Sequence, residues 1–230
     1  MTPVLRLTGV RRNYQSLRPL RVDDLTIAAR ERVAIAGMDG GAAEVLVNLV
    51  TGASLPDQGE VSVLDQLTSS ISKGDDWLAS LDRFGIVSPR GVLLDGVSIE
   101  QNIALVFTLA IDPIEPETAV QVAAVAQACG IPDVSRLTGE AAPEIRTRVH
   151  LARAVALDPA LLILEHPSAG LEADAATALA ADIVSVTEAR GLAALVITRD
   201  EAFARLVGHR ALRFEPATGA LKPLKRGWLW

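Results

Sequence analysis

Residues 33–52, VAIAGMDGGAAEVLVNLVTG, constrain this chain more than any other stretch. An apolar run, Val33-Ala34-Ile35-Ala36, ends on Gly37. A turn with Gly40 and Gly41 follows, and then Val45, Leu46, Leu49 and Val50 recur at helical spacing. Strand, glycine-bearing turn and helix in that order is the layout of a phosphate-binding loop. In such a loop successive backbone N–H groups and a helix N-terminus face an anion. The pattern G-x-x-x-x-G-K-[ST] asks for Gly, Lys and Ser or Thr at 42, 43 and 44, where this chain has Ala42, Ala43 and Glu44. The backbone shape of an anion site is written here without its working side chains.

At 230 residues the chain is long enough for one good-sized core, or for one domain with a subdomain. Half of its residues are hydrophobic and 3% are aromatic, so the core is expected to be aliphatic. A net charge of −6 without a long run of either sign argues against a nucleic-acid groove, which needs a basic face. The single cysteine, Cys129, excludes an internal disulfide framework and a cysteine-cluster metal site. Its expected role is that of a small buried hydrophobe. The N-terminal MTPVLRLTGVRR has no signal-peptide h-region. The longest apolar run, 103–111, is about half of what a spanning helix needs. A cytoplasmic protein is expected, meeting the inner face of a membrane only through a partner.

Along the chain, residues 4–10 and 24–29 read as strands, with the only tyrosine, Tyr14, in the loop between them. Residues 32–36 form a near-continuous apolar strand of the kind buried in a parallel or mixed sheet. The helix after the glycine turn ends at Gly52, a C-cap residue. Strands are expected at 60–64 and 84–88, the second stopped by Pro89, with a polar loop or short helix at 67–76. From 98 to 139 the pattern is mostly helical, interrupted at Pro113, Pro116 and Pro132, and a separate helical lobe is expected. A helix over 145–157, a buried strand over 161–164, an Ala-rich helix over 173–190 ending at Gly191, and a buried strand over 193–198 follow. A hairpin around Thr218-Gly219 precedes the apolar Gly227-Trp228-Leu229-Trp230, which could pack on the chain's own surface or meet a partner. Strands alternating with helices on both sides of an interruption give an α/β core with a helical insert.

Several blocks then carry a resemblance. Asn48-Leu49-Val50-Thr51-Gly52 with Pro56-Asp57-Gln58-Gly59-Glu60-Val61 is one, and Arg148-Val149-His150-Leu151-Ala152-Arg153-Ala154 with Leu157-Asp158-Pro159 is another. Residues 161–171, LLILEHPSAGL, and Val196-Ile197-Thr198-Arg199-Asp200 complete the set. In this order and spacing the chain resembles the nucleotide-binding domain of the ATP-binding cassette (ABC) transporter family over essentially its full length. The resemblance implies a P-loop NTPase-like core of mixed sheet flanked by helices. It also implies an N-terminal antiparallel β portion and a helical subdomain. One domain is expected over 1–230, with its core at 1–92 and 144–230 and the helical subdomain at about 93–143. ATP and Mg²⁺ are the implied cofactors.

At the implied catalytic positions the residues depart from the family pattern. Ala43 supplies no charge for the β- and γ-phosphates, and Glu44 stands where a hydroxyl would hold Mg²⁺. A carboxylate in a helix's first turn is stabilising by about 0.3–1 kcal/mol, so Glu44 is expected to satisfy the cradle itself. The Walker B pair is Glu165, which can ligate Mg²⁺ if its longer side chain fits, and His166, which is either a proton acceptor near neutral pH or a structural residue. The Q-loop glutamine is replaced by Pro89, which has no side-chain oxygen and no N–H. The signature motif falls on Ala141-Ala142-Pro143-Glu144-Ile145, without its glycines but well suited to a helix start. The switch histidine is Arg199, expected to pair with Glu165 or Glu44 and fill the site with a salt bridge. What survives is Tyr14 at the place of the adenine-stacking aromatic, Gly37, Gly40 and Gly41 of the cradle, and the D-loop form of residues 168–172. The implied reading is a degenerate cassette subunit, a pseudo-ATPase. It would dock through residues near Leu93 to Leu105 of the helical lobe on a transmembrane permease, with a second cassette subunit or a homodimer as further partner. The alternatives are a soluble regulatory or scaffold protein paired with an active cassette, and a weak enzyme using Glu165, His166 and Arg199.

Overall fold

The computed structural model describes residues 3–71 and 74–224, so the expectation for Gly227-Trp228-Leu229-Trp230 lies outside the described residues. In chain order, β1 (Leu5–Arg12), β2 (Leu20–Ile27) and β3 (Arg32–Ala36) precede α1 (Gly40–Val50). β4 (Gln58–Val63) and β5 (Gln66–Leu67) lead through a 3₁₀ turn at Thr68–Ser70 to α2 (Gly74–Leu81) and β6 (Phe84–Val87). Three helices follow, α3 (Ile99–Ala104), α4 (Pro116–Ala128) and α5 (Pro143–Val155). β7 (Leu161–Glu165), α6 (Ala173–Arg190), β8 (Ala193–Thr198), α7 (Glu201–Val207), β9 (Arg210–Glu215) and β10 (Ala220–Pro223) complete the described chain.

Two sheets form. The antiparallel one has the order β2-β1-β4-β5, and the larger one has the order β10-β9-β3-β8-β7-β6. In the larger sheet β9, β3, β8, β7 and β6 run parallel and only β10 is antiparallel. The three central strands are buried on both faces, which is why they read as continuous apolar runs. Strand periodicity divides their side chains cleanly. Val33, Ile35, Leu161, Ile163, Leu195 and Ile197 meet α1 and the antiparallel sheet in one buried cluster. Ala34, Ala36, Leu162, Leu164, Ala194 and Val196 face α5, α6 and α7 in the other. Ile99 and Ile103 of α3 and Val122 and Val125 of α4 belong to that second cluster, so the helical segment and the sheet share buried apolar surface.

Local chemistry sets the element ends. α3 opens with a capping box between Ser98 and Gln101, and α7 starts on Asp200, whose carboxylate accepts from the N–H groups of Ala202 and Phe203. α6 ends at Gly191 in the left-handed region, as its sequence predicts. Pro116 opens α4 at its first turn rather than interrupting a helix. β2 begins earlier than expected, because Leu20 and Val22 pair opposite Arg12 and Val10, and the two acidic residues Asp23 and Asp24 only interrupt the alternation. α2 is held by the Trp77 indole, which donates to the Thr51 carbonyl at 3.0 Å.

Candidate functional site

Strands β3, β7 and β8 end at one edge of the sheet, and the loops leaving them build a cleft beside the N-terminus of α1. Gly37 turns the chain with φ +89°, a conformation that suits glycine. Asp39 then caps α1: its Oδ1 accepts from the Ala42 N–H at 2.8 Å. That N–H is one of the free donors with which a helix N-terminus would hold an anion. A carboxylate of the chain itself occupies it. The sequence signal for Asp39 is local: an aspartate just before a glycine pair and an apolar-periodic segment is an N-cap signature.

The expected cradle residues do come together. The Tyr14 ring lies over Gly41, with Cε2 3.4 Å from where a Cβ on that glycine would stand, and Nη2 of Arg199 is 4.0 Å from the same point on Gly40. Ala43 is fully buried. Glu44 corrects an expectation. The first turn of α1 contains no acidic residue, because the helix begins at Gly40, and Glu44 points outward from the turn after. Its Oε2 lies 3.5 Å from Nη1 of Arg90.

A second correction concerns the salt bridge across the site. Arg199 is exposed and forms no ion pair among the described residues. Arg90 takes the role instead. Its Nη1 donates to Oε1 of Glu165 at 3.0 Å and its Nη2 to Oε2 at 2.7 Å, a two-pronged contact that suits a planar guanidinium. The Ser88 hydroxyl donates to the same Oε2 at 2.9 Å and accepts the Arg90 N–H at 3.2 Å. Glu165 is only 2% exposed, and a carboxylate so buried needs such partners. Nothing in the sequence pattern singled out Arg90; it adjoins Pro89, which is exposed and lines the cleft.

His166 has φ +48° and an Nε2 that is buried without a hydrogen-bond partner among the described residues. Burial holds its imidazole below its ordinary pKa and the Arg199 guanidinium adds to this, while Glu165 and a hydrogen bond with the Asp39 backbone act the other way. Two adjoining cavities of about 350 and 290 Å³ open here, sharing Pro89, His166 and Ala169. Pro143 and Thr147 of α5 line the first. Pro143 is the first residue of α5 and Ala142 its cap, with no side-chain cap bond, as the helix-start reading expects.

His150 borders both the larger cavity and a separate groove of about 340 Å³ between the edge strand β6 and α5. A Cβ at Gly91 would lie 3.0 Å from the His150 ring, tighter than an ordinary contact, so the loop after β6 passes close to that ring. The apolar segment near Leu93 to Leu105 is divided between core and surface. Leu93, Ile99 and Ile103 are buried in the core, and the exposed apolar side chains of this region are Val92 and Leu94, with Ile86 and Leu157 beside the groove. Among the described residues no helix is long and apolar enough to cross a membrane. None of their His, Cys, Asp and Glu side chains form a group of three able to hold a metal ion.

Comparisons with known proteins agree with this architecture. A protein-family model described as "ABC transporter" matches residues 20–169. The chain is similar to the lipoprotein-releasing system ATP-binding protein LolD of Psychrobacter arcticus, 25% identical over 217 residues that cover 92% of this chain and 96% of that one. It is 28% identical over 201 residues to the Fe(3+) ions import ATP-binding protein FbpC of Mesorhizobium japonicum, covering 86% of this chain and 54% of the relative. A methionine import ATP-binding protein, MetN of Brucella abortus, is 26% identical over 211 residues, covering 91% and 57%. The chain thus spans nearly all of the first relative and about half the length of the other two. Among solved structures, cbiO1 from Clostridium perfringens, part of the ABC transporter complex cbiONQ, superposes with a TM-score of 0.80 at 19% identity, covering 99% of this chain and 89% of that one. The cassette MJ0796 in a dimeric post-hydrolysis state bound to ADP and Pi gives a TM-score of 0.77 at 19% identity, covering 97% and 100%.

Proposed function

The chain belongs to the ABC transporter family, and from that premise we propose that it is a cassette subunit that has kept the fold of an ATP-binding protein without its ATP chemistry. The observation that carries this reading is the N-terminus of α1. The Asp39 carboxylate accepts the Ala42 N–H at 2.8 Å, and Ala43 and Glu44 follow without a lysine or a hydroxyl. A nucleotide's phosphates would meet a negative charge already seated on the helix, with no side-chain cation from the loop to offset it. The only lysines of the chain are Lys73, Lys222 and Lys225, none of them in this loop.

Mg²⁺ does not fit the residues present. Both oxygens of Glu165 are engaged by Arg90 and Ser88. Pro89 offers no side-chain oxygen, and no cluster of three acidic, histidine or cysteine side chains that could hold a metal occurs among the described residues.

In this proposal the chain acts by docking. Its relatives are named as ATP-binding proteins of import and release systems, which supports a transmembrane permease as one partner and a second cassette, or another copy of this chain, as the other. The permease-facing surface would be the groove between β6 and α5, with Val92, Ile86 and Leu157 on its rim. That placement would put the protein at the inner face of a membrane through its partner. The chain would form one cassette over 1–230, with the helical portion at about 93–143 set between core segments 1–92 and 144–230. Isothermal titration of Mg-ATP into the purified protein, with phosphate release measured in parallel, tests the reading. No binding heat and no phosphate release are expected. Micromolar binding with turnover by the wild type would refute it.

A further inference from the structure

Arg90 joins three parts of the fold at the site. It leaves the loop after β6, grips Glu165 at the end of β7 with two hydrogen bonds of 3.0 and 2.7 Å, and lies 3.5 Å from Glu44 on α1. Glu165 is 2% exposed at its side chain, whereas Arg90 is 45% and Glu44 48% exposed. The guanidinium therefore reaches from solvent into the sheet edge and lies between two carboxylates from different elements. Ser88 completes the arrangement by donating to Glu165 and accepting from the Arg90 backbone N–H.

We propose that Arg90 is the resident cation of this site: its guanidinium takes the place between Glu44 and Glu165 that a divalent cation would need, so the folded site carries its own counter-charge and excludes metal. The inference deepens the reading above and rests on it in one respect, that this is not a working Mg²⁺–nucleotide site. Its physical basis is the burial of Glu165. An ionised carboxylate taken out of water must be paired, and removing one partner of such a pair costs far more than removing both. A bidentate guanidinium satisfies both oxygens at once, which a lysine ammonium cannot do.

The test is a cycle of melting temperatures in EDTA, without nucleotide, for the full chain and the variants Arg90→Gln, Glu165→Gln and the two combined. Arg90→Gln is expected to lower the melting temperature by about 5–10 °C, the low end for a buried pair because one partner is half-exposed. Adding Glu165→Gln should return most of that loss. In a parallel series without EDTA, millimolar Mn²⁺ should restore at least half of it in Arg90→Gln, and should leave the wild type and the double variant unmoved. Should Arg90→Gln not fold, Arg90→Lys with and without Glu165→Gln reads the same coupling through a smaller loss. Additive effects of the two substitutions, stabilisation of the wild type by Mn²⁺, or no Mn²⁺ effect on Arg90→Gln would each overturn the proposal. Because no nucleotide enters the assay, the two readings fail separately: additive Arg90 and Glu165 effects in a wild type that neither binds nor hydrolyses ATP would overturn this inference and leave the functional reading standing.

Discussion

Asp39→Ala, read beside Asp39→Asn, separates the two jobs that one carboxylate performs at α1. As a cap, Asp39 satisfies the Ala42 N–H at 2.8 Å. Replacing such a cap by alanine costs about 1 kcal/mol, within a range of about 0.5–2, whereas asparagine caps as well as aspartate does. For a chain of this size about 1 kcal/mol moves the melting temperature by roughly 2–4 °C. Asp39→Ala should therefore melt about 2–4 °C below the wild type, and Asp39→Asn close to it. As a charge, Asp39 keeps other anions off the helix N-terminus. Both variants lose that charge, so millimolar pyrophosphate should raise their melting temperatures and leave the wild type unchanged. At a hundredfold excess over the dissociation constant the gain is about 2.7 kcal/mol, or roughly 5–10 °C. Differential scanning fluorimetry over a pyrophosphate series reads both effects. If the wild type responds to pyrophosphate as strongly as Asp39→Asn, the carboxylate is not what closes the cradle, and the reasoning fails.

Further tests concern packing, titration and reactivity. A Cβ at Gly85 of β6 would overlap the Ala154 carbonyl of α5, so Gly85→Ala should cost about 1–3 kcal/mol in urea unfolding; an unchanged midpoint would show that β6 and α5 can separate freely. His150 is held below its ordinary value of 6.5, first by burial and then by Arg153 and Arg146. The native state thus disfavours its charged form, so its contribution is complete above about pH 6.5 and is lost as pH falls through the lower folded value. His166 behaves in the same direction. Melting temperature should decline from pH 8 to pH 5.5 by an amount that His150→Gln reduces, and a slope unaffected by that substitution would contradict the assignment. Cys129 is fully buried and its thiol is pushed up to about 12, chiefly by burial. It should resist thiol reagents at pH 8 until the protein is unfolded, and prompt labelling of the native protein would disprove its burial.

The fold was legible where periodicity and punctuation coincide. Residues 193–198 are apolar on both faces of a central strand, and residues 173–190 run from an acidic first turn to a glycine in the left-handed region, so their bounds match the structure. The helix α7 was not legible, because seven residues carry too little pattern to stand out from the loop that Asp200 begins. The site was half-legible. The glycines and Tyr14 converge because the strand-turn-helix order dictates where the backbone goes. Its charges were misassigned, since which arginine reaches Glu165 depends on how the loop after β6 folds across the sheet edge, a long-range geometry that spacing along the chain does not encode. Arg199 stands at the switch position that the resemblance marks, nothing in the sequence marks Arg90, and the turn made by Ser88, Pro89 and Gly91 is what brings Arg90 to Glu165.

In the proposed reading, the manner in which the site is filled accounts for how a cassette fold can stand without a nucleotide. The stabilising surfaces are two aliphatic clusters on opposite faces of β3, β7 and β8, and neither uses Glu44, Glu165, His166 or Arg199. A buried carboxylate at the sheet edge is nonetheless a liability when no metal meets it, and so is a helix N-terminus when no phosphate does. Both are met from within the chain, Glu165 by Arg90 and the Ala42 N–H by Asp39. On that reading folding does not depend on nucleotide or metal, since no ligand binding energy is needed to offset a buried charge. It follows that reinstating chemistry takes more than restoring a motif. Ala43→Lys with Glu44→Ser supplies the lysine and the hydroxyl, but it leaves Asp39 on the helix and frees Arg90 of one carboxylate while Glu165 still holds it. Such a variant should bind Mg-ATP measurably more weakly than one that also carries Asp39→Asn and Arg90→Gln. Equal affinities in isothermal titration would mean that the internal anion and cation do not compete with the ligand, and that the missing lysine alone silences the site.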